Sequence, residues 1–251
     1  MARPFVLDKM TWPEVEAARQ SIQLVVVPVG STEQHGPNTT FDTDTVRAYG
    51  FCKLLEQAMH PRLLVAPPVT VGISYHHLKF PGSLTLKPET MIQYLVDLAW
   101  SFAQHGFKRL LFINGHGGNR PVLELACVRI KHELGMVVGW AGLMGDTAPD
   151  VVAAHARTPV NGHACEIETS QLLYLGGADS IRNETLRAAD IKLPGWSKLP
   201  IKMPRGFDEI TERGDLGDAT QHSVEIGRAV TEAVKDRLVE AIERQLLTQP
   251  V

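Results

Sequence analysis

The stretch from Lys108 to Pro121 constrains this chain most. Lys108-Arg109-Leu110-Leu111-Phe112-Ile113 is an apolar, strand-like run; Asn114-Gly115-His116-Gly117-Gly118-Asn119 follows it, and Arg120-Pro121 opens a helical pattern. A strand that stops at a glycine-framed histidine, with a helix starting at once, is how open α/β sheets bring chemistry to the crevice beyond their strand ends. The glycines let the backbone bend sharply and approach a bound group. Asn119 is a candidate helix N-cap, and Pro121 suits a first turn because its missing N–H would have had no helical partner. An ordinary strand-to-helix turn with an incidental histidine is the competing reading. Partners for His116 must therefore come from the rest of the chain.

The chain repeats that pattern. Gln23 to Val29 is a β-branched, apolar run suited to a strand buried on both faces of a parallel sheet, and it ends in Gly30-Ser31-Thr32-Glu33-Gln34-His35-Gly36-Pro37. Helical spacing from Thr45 to about Met59 leads to a strand-like run, Leu63 to Val71, broken by Pro67-Pro68. A long polar and aromatic loop, Gly72 to Leu86, precedes a helix over Lys87 to Gln104; loops of that length are usually binding segments or lids. Pro121 to Leu134 reads as a helix, Met136 to Gly142 as a strand, and Gly162 to Ser170 as the opening of a helix that ends near Leu175. Residues 178–220, which include Leu193-Pro194-Gly195-Trp196 and Gly214-Asp215, show little periodicity and read as an excursion over the surface; Val224 to Leu247 is a final amphipathic helix. Alternating strands and helices predict a mostly parallel sheet with helices on both faces.

Composition narrows the class. A chain of 251 residues with 44% hydrophobic content can build one substantial core, so a single domain over 1–251 is expected. A net charge of −3 gives no reason to expect nucleic acid or an anionic membrane as a partner. Cys52, Cys127 and Cys165 are far apart and form no CxxC pair, which fits a reducing compartment. With no signal-like apolar run and no membrane-length apolar stretch, a cytoplasmic protein is expected.

Glu33 and His35 are two residues apart at the end of a buried run, so in extended chain both point to one side. Asp44 opens the next helix and can reach back to them, although it could instead cap that helix, and Asp42 competes for the role. His116 ends a separate strand. Glu166 and Glu168 lie about 200° apart on a regular helix, so only one can face a shared site. Glu166 is the expected one, on the ground that it shares a face with His163 and Ser170; Glu168 is left a buried hydrogen-bonding role. Glu33, His35, Asp44, His116 and Glu166 are oxygen and imidazole ligands suited to Zn²⁺, Mn²⁺ or Fe²⁺. Five such ligands are generous for one ion and natural for two.

Pro28 to Pro37, Thr43-Asp44, Phe80-Pro81-Gly82-Ser83-Leu84, Asn114 to Asn119 and His163 to Ser170 resemble the successive motifs of the creatininase (creatinine amidohydrolase) family. The resemblance spans about residues 10 to 245. It implies a three-layer α/β/α sandwich, a dinuclear metal centre, hydrolysis of amide or cyclic amide bonds, and a homo-oligomer, often a hexamer. It places Glu33, His35, Asp44 and His116 on metal-ligand positions, with Asp44 as the bridge. Creatininase itself resembles a His-Tyr-Glu pattern where this chain has His116-Gly117-Gly118. The expected compensation is that Glu166 replaces the carboxylate missing at Gly118, which points to a branch of the family other than creatininase. Asn38 stands where many members carry histidine. No aromatic residue occurs among Arg157 to Asn161, where creatininase closes its site with tryptophan, and Trp140 is the candidate substitute.

The expected activity is hydrolysis of a C–N bond in a small amide, formamide or cyclic amide by hydroxide held at two divalent ions. His163 is the candidate proton shuttle, and Ser74 and His77 are candidate substrate contacts. Family-compatible alternatives are a hydrolase of an inosose-type cyclic diketone and a peptide-trimming enzyme of redox-cofactor maturation. Rivals of other kinds are a metal-binding oligomer subunit without activity and a metal-free sugar-processing enzyme.

Overall fold

The structure is a computed structural model that describes residues 4–158, 162–195, 200, 201 and 203–251. Pro159, Val160, Asn161 and Trp196, which figured in the motifs above, lie outside the described residues. Four parallel strands, β1 (Leu24–Val29), β2 (Leu63–Val65), β3 (Arg109–Asn114) and β4 (Val137–Gly142), form one sheet in the order β2-β1-β3-β4. Val26 lies beside Val65 on one side and Leu111 on the other. β2 is shorter than the apolar run suggests, because it stops at Val65, just before Pro67-Pro68, where a proline cannot donate to the ladder.

Side chains alternate between two cores, as a strand's period of two requires. Leu24, Val26, Leu63, Val65, Leu111 and Ile113 pack with α2 (Thr43–Met59), α6 (Glu166–Tyr174) and α8 (Val224–Ala241). Val25, Val27, Val29, Leu64, Leu110 and Phe112 face the other way, toward α1 (Trp12–Ala18), α3 (Pro88–Gln104) and α4 (Arg120–Leu134). Three layers result, as the family resemblance implies. Two short helices, α5 (Pro149–His155) and α7 (Phe207–Ile210), are too brief to show periodicity in the sequence. The last helix passes into a π turn at Ile242–Leu246 instead of continuing regularly to Leu247. Among the described residues no helix is long and apolar enough to cross a membrane.

This topology positions the site. The chain leaves β1 for β2 on one side, then crosses to β3 on the other, so β1 and β3 are neighbours whose outgoing loops diverge to opposite faces. A crevice opens at such a switch point, beyond the carboxyl ends of the strands. Residues 178–220 do more than cover the surface. They return to the strand ends through bridges between Thr39 and Ile181 and between His163 and Leu216, and they bury Ile210, Thr211 and Asp215.

Candidate metal centre

Five buried side chains from four separate segments meet at the switch point. Glu33 and His35 come from the loop after β1, Asp44 from the first turn of α2, His116 from the residues just past β3, and Glu168 from the first turn of α6. Gly115 allows the β3 loop to lie against α2, since a Cβ there would stand 2.5 Å from the Asp44 carbonyl oxygen. Asp44 faces two ways, with Oδ1 3.4 Å from His35 Nε2 and Oδ2 3.4 Å from His116 Nδ1. His35 Nε2 is also 3.8 Å from Glu168 Oε2, and His116 Nδ1 is 2.9 Å from Glu33 Oε1. Asp42 is exposed and takes no part, its carboxylate accepting from the hydroxyls of Thr40 and Ser180.

Neighbouring groups set which atom of each side chain faces inward. His35 Nδ1 donates to the Glu33 carbonyl at 3.1 Å, leaving Nε2 for the centre. His116 does the reverse, donating from Nε2 to the Ile73 carbonyl at 2.9 Å and leaving Nδ1. Ser74 donates to Glu33 Oε2 at 2.5 Å, so Oε1 is the inward oxygen. Arg47, itself buried, donates to Glu168 Oε1 at 2.5 Å and to Gln171 Oε1 at 2.8 Å; the backbone N–H of Ala164 donates to Glu168 Oε2 at 2.6 Å. Ala164 adopts a left-handed backbone, φ 51°, which is costly for a residue with a side chain and serves here to aim that N–H. Fixed tautomers of this kind are how proteins orient metal-binding imidazoles.

The residues fit divalent metal. Glu33 Oε1, His35 Nε2 and Asp44 Oδ2 are buried and make no hydrogen bond, a costly arrangement unless something else satisfies them. Three ligand groupings overlap at this place: Glu33, His35 and His163; Glu33, His76 and His116; and His35, Asp44 and Glu168. Three buried carboxylates face one buried arginine, so a cation is electrostatically favoured. Burial pushes Glu33 up from the usual carboxylate range. Burial would push Asp44 up as well, but the adjacent His35 and His116 hold it well below that range. Burial disfavours the His35 cation, yet Asp44, Glu168 and Glu33 outweigh it and raise this imidazole to about 9; His116 is raised well above its ordinary value by Glu33 and Asp44 against the same penalty. His163 is driven well below its ordinary value by burial and by His35.

A titration of metal loading follows from these shifts. A metal can take His35 Nε2 only after its proton leaves, so affinity should rise about tenfold per pH unit for each proton displaced, up to about pH 9. In the metal-free protein the raised His35 contributes stability that is full below its ordinary value of 6.5 and is lost as pH rises through about 9. Thermal melts with and without Mn²⁺ should therefore show a metal-induced increase in Tm that grows from pH 6.5 to 9. An increase that stays flat over that range would contradict the proposed competition between proton and metal.

The structure departs from the sequence expectations at several residues. Glu166 does not face the centre: its Oε1 accepts from the backbone N–H of Thr158 at 3.0 Å and from the Thr158 hydroxyl at 2.5 Å. The helix begins at Glu166, so His163 precedes it and cannot define a helical face with it. Glu168 occupies the place expected of Glu166. Gly118 has no room for a carboxylate, since a Cβ there would lie 2.3 Å from the Ile73 carbonyl oxygen and 2.4 Å from His116 Nε2. Ser74 and His77 stand behind the ligands and do not line the open cavity; Ser74 holds Glu33, and His77 Nδ1 accepts from the Gln34 amide at 2.7 Å. Trp140 packs with the core on the α3 and α4 face, away from the centre. Asn119 makes no cap. It accepts from the Ile73 N–H at 2.9 Å and donates to the Gly30 carbonyl at 3.0 Å, tying three strand-end loops together. Asn38 also serves structure, donating to the Ala164 carbonyl and to Asp215, each at 3.3 Å.

Sequence reasoning missed Arg47, His76 and Phe207. The adjacent pair His76-His77 in a long loop was a usable signal for His76. Phe207 gave none, because it lies in the aperiodic segment, yet its ring packs 4.3 Å from His77 and 4.8 Å from His163. Together with the bond from Gln34 to the Gly214 carbonyl at 2.8 Å, it closes the centre on that side.

Known proteins share this sequence pattern and fold. The sequence profile of the creatininase family, described as creatinine amidohydrolase, matches residues 8–242. A mycofactocin precursor peptide peptidase of Mycobacterium tuberculosis (strain CDC 1551 / Oshkosh) is 34% identical over 228 residues, covering 88% of this chain and 84% of that protein. A creatinine amidohydrolase of Pseudomonas putida is 29% identical over 125 residues, 47% of each chain. A crystal structure of creatinine amidohydrolase superposes with a TM-score of 0.85 at 23% identity, over all of both chains, which establishes the common fold. A family match over nearly the whole length, a shared fold and a buried cluster of carboxylates and imidazoles at the switch point lead to one conclusion: this chain belongs to the creatininase family of metal-dependent hydrolases.

Proposed function

We propose that this chain hydrolyses an amide C–N bond at a two-metal centre held by Glu33, His35, Asp44, His116 and Glu168. The observation that carries the reading is Asp44, whose two oxygens face two different histidines at equal distances of 3.4 Å. When bound, a pair of divalent ions supplies an acidified water and polarises the carbonyl to be attacked. The chain's own residues do the rest. Ser74 and Arg47 fix the carboxylates of Glu33 and Glu168, and the Glu33 and Ile73 carbonyls fix the two imidazoles. His163 Nε2 donates to the Gln34 carbonyl at 2.7 Å, so its Nδ1 carries the free lone pair and faces Glu33 Oε1 at 3.6 Å. In that state His163 is neutral, able to accept a proton at Nδ1 and return it to the departing nitrogen.

The sequence favours a small amide, formamide or cyclic amide. A peptide amide is the second reading, supported by the match to peptide peptidases over 84% of their length, against 47% for creatinine amidohydrolase. Protein reconstituted with Mn²⁺ or Zn²⁺ should hydrolyse at least one class in a panel of N-formyl amino acids, short peptides, lactams and creatinine, read as the carboxylate product, with creatinine the poorest. Fully metal-loaded protein that cleaves none of them would overturn the proposal.

A further inference from the structure

The cavity over the centre opens on one side only partly explained by hydrolysis. Phe207 and the Gln34–Gly214 bond close the far side. The open side lies between the start of α4 and the turn that follows β4, and two arginines line the space. Arg47 is buried, and both of its terminal nitrogens are taken up by Glu168, Gln171 and the Gly115 carbonyl. Arg120 is different. Its side chain is 50% exposed, and its one ion pair among the described residues is a single-point contact from Nη2 to Asp146 Oδ2 at 2.7 Å. The rest of its donor fork makes no hydrogen bond there.

Asp146 is placed with care. A Cβ at Gly142 would stand 2.5 Å from Asp146 Oδ2, so the glycine that ends β4 makes room for this carboxylate. The Thr147 hydroxyl donates to the Gly142 carbonyl at 2.7 Å and folds the turn back over the strand end. Asp146 therefore holds the Arg120 guanidinium at the cavity mouth while leaving most of its donors free. A guanidinium fork matches a carboxylate in two parallel hydrogen bonds. With divalent ions on the three carboxylates the centre no longer repels anions, so the geometry of the guanidinium fork, and not charge alone, is what selects a carboxylate at the mouth.

We infer that Arg120 recognises a carboxylate on the substrate, so that the chain acts on amides whose amine half carries a free carboxylate, as in an N-acyl amino acid or the C-terminal end of a short peptide. This rests on the amide-hydrolase reading above and adds a specificity residue to it. Asp146 orients the guanidinium before binding, and the substrate carboxylate takes the unfilled donors.

Two measurements test it. The first compares N-formylglycine and triglycine, each beside its C-terminal amide, in wild type, Arg120→Gln and Arg120→Lys. Wild type should prefer the free acid of at least one pair; which pair is cleaved separates a small N-acyl amino acid from a peptide end. Arg120→Gln should reduce that preference by about 10–100-fold in kcat/KM, and Arg120→Lys, which keeps charge but loses the fork, should fall between. The second needs no turnover: calorimetric binding of acetohydroxamate against malonic, succinic and glutaric monohydroxamates to the Zn²⁺-loaded protein. At least one carboxylated probe should bind wild type about 10–100-fold more tightly than acetohydroxamate, and Arg120→Gln should erase that gain. A gain that survives in Arg120→Gln, no gain in wild type, or equal weakening of all probes by the variant would each overturn the inference. Absence of turnover with the binding gain intact would instead count against amide hydrolysis and leave carboxylate recognition supported.

Discussion

If the centre holds two ions as proposed, Glu168→Gln should shed about one of them per chain relative to wild type, whereas Glu166→Gln should match wild type. The two residues are separated by one position on α6, and both are buried. They differ in what they touch. Glu166 is engaged by Thr158. Glu168 has Oε1 held by Arg47 and Oε2 3.8 Å from His35 Nε2. Replacing an outer partner of a metal ligand typically costs 10–100-fold in metal affinity, so loss of a ligand itself should exceed about 100-fold. Glutamine keeps the size and an acceptor for Arg47 but turns its NH2 toward the Ala164 N–H, so the thermal melt of the metal-free variant reads that loss apart from the ligand effect. Glu168→Ala should in addition destabilise the fold by about 3–5 kcal/mol, because it leaves the buried Arg47 cation without its closest carboxylate. Elemental analysis after dialysis and thermal melts read the two effects separately. If Glu166→Gln lost metal while Glu168→Gln retained both ions, the orientation of α6 described here would be wrong.

His163→Asn should lower kcat by about 10²–10⁴-fold with metal content unchanged, the range expected when a positioned acid or base is removed. His163 lines the cavity, and its backbone is fixed by a pair of hydrogen bonds with Leu216 at 3.2 and 2.7 Å. Burial and the neighbouring His35 keep the ring neutral. A neutral imidazole with its lone pair toward the centre accepts a proton readily only while a stronger acid is beside it, and returns it readily to a basic leaving nitrogen. The loss should therefore be smaller for N-formyl-p-nitroaniline, whose leaving amine is weakly basic, than for formanilide. Equal losses for both, or loss of metal in step with activity, would make His163 a ligand or a structural residue and not the proton carrier.

Much of this architecture was legible from local pattern. Leu24–Val29 and residues 110–113 are apolar on both faces because both faces are covered, and polar residues begin where each strand leaves the sheet. Glu33, His35 and His116 sit within a few residues of those strand ends, so sequence order nearly dictates their place. Asp44 follows from its position in the first turn of the next helix. Ser74 and His77 are candidate substrate contacts by residue type and loop position, and Trp140 by the tryptophans of the resembled enzyme, but which side of a loop or strand meets the cavity depends on packing with distant elements. Trp140 faces the α3 and α4 core because β4 pairs with β3 in the register that sets Trp140 beside Phe112.

The sequence by itself determined the alternating α/β architecture, the strand-end positions of Glu33, His35 and His116, and the presence of two carboxylates on one short helix of which only one could face the centre. Only the tertiary structure decided which one. α6 docks on α8 so closely that a Cβ at Gly227 would lie 2.0 Å from the Ser170 carbonyl oxygen. Ser170 receives the Ser223 N–H at 2.9 Å, which turns the Ser170 and Glu166 side of the helix toward α8 and the Thr158 loop. The opposite side, with Glu168 and Gln171, then meets Arg47 of α2. Helical periodicity states which residues share a face, but the rotation of a short helix about its axis is set by its neighbours, here a glycine on α8 and an arginine 121 positions before Glu168 in the chain.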